Sequence, residues 1–107
     1  LVSGHVDGVG TVVRFDPVGD NRLLEISAPE ELAKYIARKG SITVSGVSLT
    51  TNAVDGCRFA INLIPHTLAS TTLGGIRAGD RVKLEIDLIA RYVERMLNPE
   101  AEPAQNA

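Results

Sequence analysis

The chain has one cysteine, Cys57, no tryptophan, and only two phenylalanines and two tyrosines among its 107 residues. A single thiol excludes an internal disulfide and any zinc site built from several cysteines. It fits a reducing compartment, so a cytoplasmic location is expected. So few aromatics argue against a platform on which the bases of a single strand could stack. Charge of one sign is also missing. Eleven Lys and Arg against thirteen Asp and Glu leave a net charge of −2, which steers the protein neither to nucleic acid nor to an anionic membrane. No apolar run approaches the roughly 18 residues of a membrane span. There is no Walker loop, no GxGxxG, no HExxH and no serine nucleophile elbow.

What is present is an ordinary globular composition, 44% hydrophobic and 22% charged. The length corresponds to one domain, able to bury a core without covalent staples. The first residues, Leu1-Val2-Ser3-Gly4-His5, carry no initiator methionine and no signal-peptide pattern, and read as the cut edge of a longer chain.

Val6 to Phe15 is rich in β-branched residues, with Gly8 and Gly10 inside it. Glycine within a strand pattern marks a bulge or a close approach to the backbone. Residues 16–21 are turn material, and Leu23, Leu24 and Ile26 mark a second strand. Pro29-Glu30-Glu31 opens a helix whose apolar face is Leu32, Tyr35 and Ile36, with Gly40 as its cap. Strands are expected at Ile42–Val44, Val47–Val54 and Arg58–Leu63, the last two joined by an Asp55-Gly56 turn. Pro65 to Gly75 is a loop-helix unit. A final strand carries Val82, Leu84 and Ile86. The period then changes to 3.6, predicting a helix over 88–97 with Ile89, Tyr92, Val93, Met96 and Leu97 on one face. Residues 98–107 have the composition of a disordered tail. The domain thus spans residues 1–97. Six strands at hairpin spacing with helical insertions predict a mainly β, six-stranded Greek-key closed barrel with a C-terminal helix.

Within that frame, Ser48 and Thr50 alternate onto one strand face while Val47 and Leu49 face the core. Two hydroxyls in a row suit an uncharged heterocycle better than a phosphate or a metal. The same pair also fits a plain solvent face. His5 is either a loop histidine or a titratable group beside a ligand that Gly4 lets approach. Thr67 fits a helix start as well as a ligand contact, and His66 reads as exposed. Lys39 has the place of a solvated cation at a helix end. Asp87 has the place of the N-cap of the last helix.

Eight segments occur in an order and spacing that resemble riboflavin synthase, specifically the second of its two lumazine-binding barrels. They are Ser3-Gly4-His5-Val6-Asp7-Gly8, Lys34-Tyr35-Ile36, Lys39-Gly40-Ser41-Ile42, Gly46-Val47-Ser48-Leu49-Thr50, Leu63-Ile64-Pro65-His66-Thr67, Thr71-Thr72-Leu73-Gly74, Gly79-Asp80-Arg81-Val82 and Ala90-Arg91-Tyr92-Val93-Glu94-Arg95. Ser48 stands where the first barrel of the family usually carries cysteine, which favours the second barrel.

The resemblance implies an enzyme that dismutates two molecules of 6,7-dimethyl-8-ribityllumazine to riboflavin and 5-amino-6-ribitylaminouracil, with no metal or organic cofactor. It implies a homotrimer held by C-terminal helices, here 88–97. The reaction site would form against the first barrel of a neighbouring subunit. Carried over position by position, substrate contacts fall on Gly4, His5 and Val6, on Ser48, Leu49 and Thr50, and on Ile64, Pro65, His66, Thr67, Leu68 and Ala69. Lys39 matches a position reaching a ligand held by another chain. His5, Thr50 and Asp87 match polar positions implicated in catalysis. The chemistry removes a proton from the C7 methyl group of the ring, for which an imidazole and a hydroxyl donor are suited. Two other roles fit the same residues: a non-catalytic lumazine or flavin carrier, and a barrel that serves only assembly. A preceding barrel with a Cys-Leu-Thr version of the motif would favour the enzyme.

Overall fold

The computed structural model describes residues 6–97. Gly4, His5 and the tail predicted over 98–107 lie outside the described residues. Seven strands form one antiparallel sheet: β1 (Gly8–Val18), β2 (Asn21–Ser27), β3 (Ser41–Val44), β4 (Val47–Thr50), β5 (Ala53–Asp55), β6 (Arg58–Leu63) and β7 (Arg81–Ile86). Their hydrogen-bonded order is β4-β3-β7-β1-β2-β6-β5. A flat sheet of seven strands would hold its two edges roughly 29 Å apart. Yet the edge strands β4 and β5 are joined through Thr51 and Asn52 alone, a link that spans about 10 Å at most. The sheet therefore curls until its two ends approach each other.

Six strands were expected, and the count differs because the run from Val47 to Val54 is broken. At Thr51 the backbone N–H turns to Gly40 O (2.9 Å), and at Asn52 it turns to Ala60 O (2.8 Å). One half of the run thus pairs with β3 and the other with β6. β1 also runs further than expected, to Val18, leaving only Gly19 and Asp20 as the turn. Pro17 is tolerated there because β7 pairs only with residues 8–11 of β1, so no second neighbour needs its missing N–H.

The first helix, α1 (Glu30–Ala33), is a single turn and not the longer helix predicted. Leu32, Tyr35 and Ile36 are buried as expected, but Tyr35 and Ile36 reach the core from the turn that follows α1. Gly40 is not the left-handed cap; that conformation falls on Lys39, with φ +67. Two later helical pieces are α2 (Pro65–Ser70) and a 3-10 turn at Thr72–Gly75. The last element among the described residues is α3 (Leu88–Leu97), as its period predicts.

The core lies on the concave side of the sheet. Leu24, Ile26, Val44, Phe59, Ile61, Leu63 and Leu84 supply it from alternate strand positions, capped by Leu32, Tyr35 and Leu73. The glycines of β1 are close approaches. A Cβ at Gly10 would lie 2.7 Å from Ile26 Cγ2 and 2.9 Å from Leu84 Cδ1, and one at Gly8 would lie 2.8 Å from Leu32 Cδ1. The bulge in this strand falls later, between Val12 and Arg14. No helix among the described residues is long and apolar enough to cross a membrane.

Candidate ligand-binding site

The β3–β4 hairpin turns at Ser45 and Gly46, both with positive φ (+49 and +85). Such a two-residue turn matches the twist of the strands and fixes their register. Ser41 then stands opposite Thr50, and Thr43 opposite Ser48. Directly opposed residues of an antiparallel pair share a face. Ser48 and Thr50 are exposed, as predicted, while Leu49 packs against the core. The sequence reading found two hydroxyls. The register adds Ser41 and Thr43, making a patch of four across two strands. The signal for the second pair was Ser45-Gly46 directly after the β-branched run Ile42-Thr43-Val44, a hairpin turn that fixes which residues oppose.

Asp87 follows the last β3–β7 pair, Ile42 with Ile86, and so lies level with Ser41 and hence with Thr50. Its carboxylate accepts the Ile89 N–H at 3.0 Å. That is the N-cap geometry expected of an aspartate there, and it satisfies one of the unpaired donors of the helix start.

The second candidate segment follows β6. Pro65 begins α2 at a position where its missing N–H costs nothing. Ile64, Pro65, His66 and Ala69 are exposed, and Thr67 and Leu68 are half-buried. The turn behind α2 holds it in place. Thr71 Oγ1 donates to Thr67 O (2.7 Å) and accepts the Leu73 N–H (3.2 Å). Gly74 lies so close that a Cβ there would sit 2.6 Å from Leu68 O. Thr71 and Gly74 support the segment and were not picked out as site residues by the sequence reading; their Thr-Thr-Leu-Gly run was its only mark.

Of the other predicted site residues, Val6 is exposed. Lys39 is exposed on the turn that leads into Ser41. His5 and Gly4 are outside the described residues. The hydroxyl patch and Asp87 are thus brought to one end of the β4-β3-β7 part of the sheet, with Lys39 on the adjoining turn. The α2 segment belongs to the other end of the strand order, at the exit of β6.

These features define a small antiparallel β module with a hydrogen-bonding surface of four hydroxyls beside Glu85 and Asp87. The chain belongs to the lumazine-binding domain family, whose model matches residues 3–87. It is 44% identical over 97 residues to a riboflavin synthase of Photobacterium phosphoreum, covering 91% of this chain and 44% of that protein. It is 48% identical over 96 residues to the riboflavin synthase of Brucella abortus, covering 90% and 48%. The chain therefore spans about half the length of the curated relatives it matches. Among solved structures it resembles LumP complexed with 6,7-dimethyl-8-(1'-D-ribityl)lumazine, with a TM-score of 0.77, 26% identity, and coverage of 80% of this chain and 49% of that one. LumP complexed with riboflavin matches equally well, with a TM-score of 0.77 at 25% identity over 81% of this chain and 47% of that one.

Proposed function

We propose that this chain is the C-terminal lumazine-binding half of a riboflavin synthase, holding one 6,7-dimethyl-8-ribityllumazine or riboflavin. The observation that carries the reading is the hydroxyl patch of Ser41, Thr43, Ser48 and Thr50, on a chain nearly half identical to riboflavin synthases. Such a patch offers neutral donors and acceptors to the polar edge of a heterocycle.

The second ligand wall is the segment 64–69. β5 pairs Ala53 with Ala60 of β6. At the break Asn52 also donates its N–H to Ala60 O, so the register shifts by one and, continued, sets Thr50 against Asn62 and Ser48 against Ile64. The sheet then closes as a barrel, with the hydroxyls and the α2 segment flanking one ligand. In this reading, backbone groups of residues 64–69 pair with the pyrimidine edge. His5, Thr50 and Asp87 are the polar groups that serve proton removal and carbanion stabilisation. Lys39 reaches a ligand on a neighbouring chain.

The complete reaction brings two lumazines together, so it needs the first barrel of a neighbouring subunit, and α3 supplies the contact for self-association. A carrier role is the second reading, favoured by the LumP complexes with lumazine and riboflavin. The higher identity to riboflavin synthases, 44–48% against 25–26%, favours the enzyme.

Calorimetric titration with ribityllumazine and with riboflavin tests the shared part of both readings: one ligand per chain is expected, and no binding of either would refute it. Fusing the first half of a riboflavin synthase ahead of this chain separates them. Turnover of lumazine to riboflavin by the two-barrel protein is expected of the enzyme, and tight binding without turnover of the carrier.

A further inference from the structure

Thr51 is buried, 1% exposed. Four of its hydrogen bonds go to the turn at 37–40. Its hydroxyl donates to Ala37 O and lies 3.4 Å from Gly40 O. Its N–H donates to Gly40 O (2.9 Å), and its carbonyl accepts the Lys39 N–H (2.8 Å). In the middle of this clasp Lys39 has φ +67, while Gly40 beside it is not left-handed. The left-handed region is disfavoured for any residue with a Cβ and is free for glycine. Conformation alone would thus put glycine at 39. What lysine adds is an exposed ammonium, on the turn that enters Ser41, the partner of Thr50. Strained backbone of this kind persists only where the surroundings impose it.

We infer that Thr51 is a positioning residue: its buried hydroxyl clamps the turn at 37–40 in the form that fixes where Lys39 leaves the backbone beside the hydroxyl patch. The inference rests on the reading of that patch as the ligand surface. Thr51 is not a ligand contact in it. Its side chain belongs to the core side of the strand, and it acts through Lys39.

Two measurements test it. The first needs no ligand. Lys39→Gly relieves the strain and should raise the Tm of the otherwise unchanged chain. In a Thr51→Val background the turn relaxes, and the same change should bring no gain. Thr51→Ser keeps the hydroxyl and should keep the gain. An equal Tm shift from Lys39→Gly in all three backgrounds overturns the clamp.

The second is titration with riboflavin. At a concentration where the chain self-associates and Lys39 can reach the ligand of a neighbouring copy, Lys39→Ala and Thr51→Val should each weaken binding about tenfold, roughly the loss of one hydrogen bond to a charged group. The double variant should be no weaker than Lys39→Ala, and Thr51→Ser should restore nearly wild-type affinity. Additive losses, or an unchanged Thr51→Val, overturn the positioning role. A wild type that binds neither riboflavin nor lumazine removes the ligand reading and with it the role of Lys39, whereas the Tm series decides the clamp independently.

Discussion

Arg91 of α3 pairs with the carboxylate of Asp7, which is 4% exposed and sits at the entry to β1. The other oxygen of Asp7 accepts the Ile86 N–H at 2.7 Å. The Arg91 guanidinium also lies over the Tyr35 ring, 5.0 Å from its centroid. Arg91 and Asp7 together thus tie the last helix to the entry of the first strand, the last strand and the turn after α1. This orients α3. Ala90 and Arg91 face the sheet, while Leu88, Ile89, Tyr92, Val93, Met96 and Leu97 stay exposed.

Arg91→Leu is expected to destabilise the fold by about 2–4 kcal/mol, because it removes the guanidinium paired with a buried carboxylate. Urea unfolding followed by circular dichroism measures this. A loss below about 0.5 kcal/mol, the range of an ordinary surface substitution, would show that the pair does not anchor the helix.

Thr50→Val should weaken riboflavin or lumazine binding by about 1–3 kcal/mol, since a polar ring atom loses its partner. Thr43→Val tests the wider patch, and a measurable loss is expected there as well. Calorimetry at matched ligand concentrations reads both. Unchanged affinity in Thr50→Val would remove the hydroxyl face from the site.

Gly74→Ala places a methyl group 2.6 Å from Leu68 O. The turn at 72–75 or the α2 segment must shift to admit it. A stability loss of about 1–3 kcal/mol is expected from the overpacking, together with weaker ligand binding, because residues 64–69 move. Normal binding in a clearly destabilised variant would separate α2 from the ligand site.

The exposed apolar side of α3 leads to a prediction about assembly. Met96 and Leu97 are 79% and 73% exposed, and Ile89 and Tyr92 are close behind. A contiguous stripe of this kind marks a partner surface. Val93→Glu should shift the protein towards monomer in sedimentation and leave its far-UV circular dichroism intact. A wild type that is monomeric at high concentration would count against self-association.

The 107-residue chain alone should convert little or no lumazine to riboflavin, because the proposed reaction needs two lumazines face to face and the proposed site holds one. Steady turnover by the purified chain, with longer enzyme excluded by mass spectrometry, would overturn that expectation.

Much of this architecture is local and was legible in the residues. Strand alternation identified Val82, Leu84 and Ile86, and Phe59 and Ile61, as core, because a period of two must bury one face. The 3.6 period of residues 88–97 identified α3, and a short acid before it identified the Asp87 cap. The motif order identified the family. What failed was the length of α1 and the continuity of the run from Val47 to Val54. A helix pattern over 30–39 is also satisfied by one helical turn followed by a loop that buries the same three residues, and propensity cannot tell these apart. A strand pattern likewise says nothing about its partners, so the sequence did not reveal that Val47–Thr50 and Ala53–Asp55 pair at opposite ends of the sheet. Only the tertiary structure decided that Thr43 and Ser41 join Ser48 and Thr50, that Arg91 meets Asp7 across 84 positions of chain, and that Thr51 holds Lys39 in a left-handed turn. These are contacts between residues distant in sequence. They arise from strand pairing and core closure, which depend on the whole sheet at once and leave no periodic mark on any single segment.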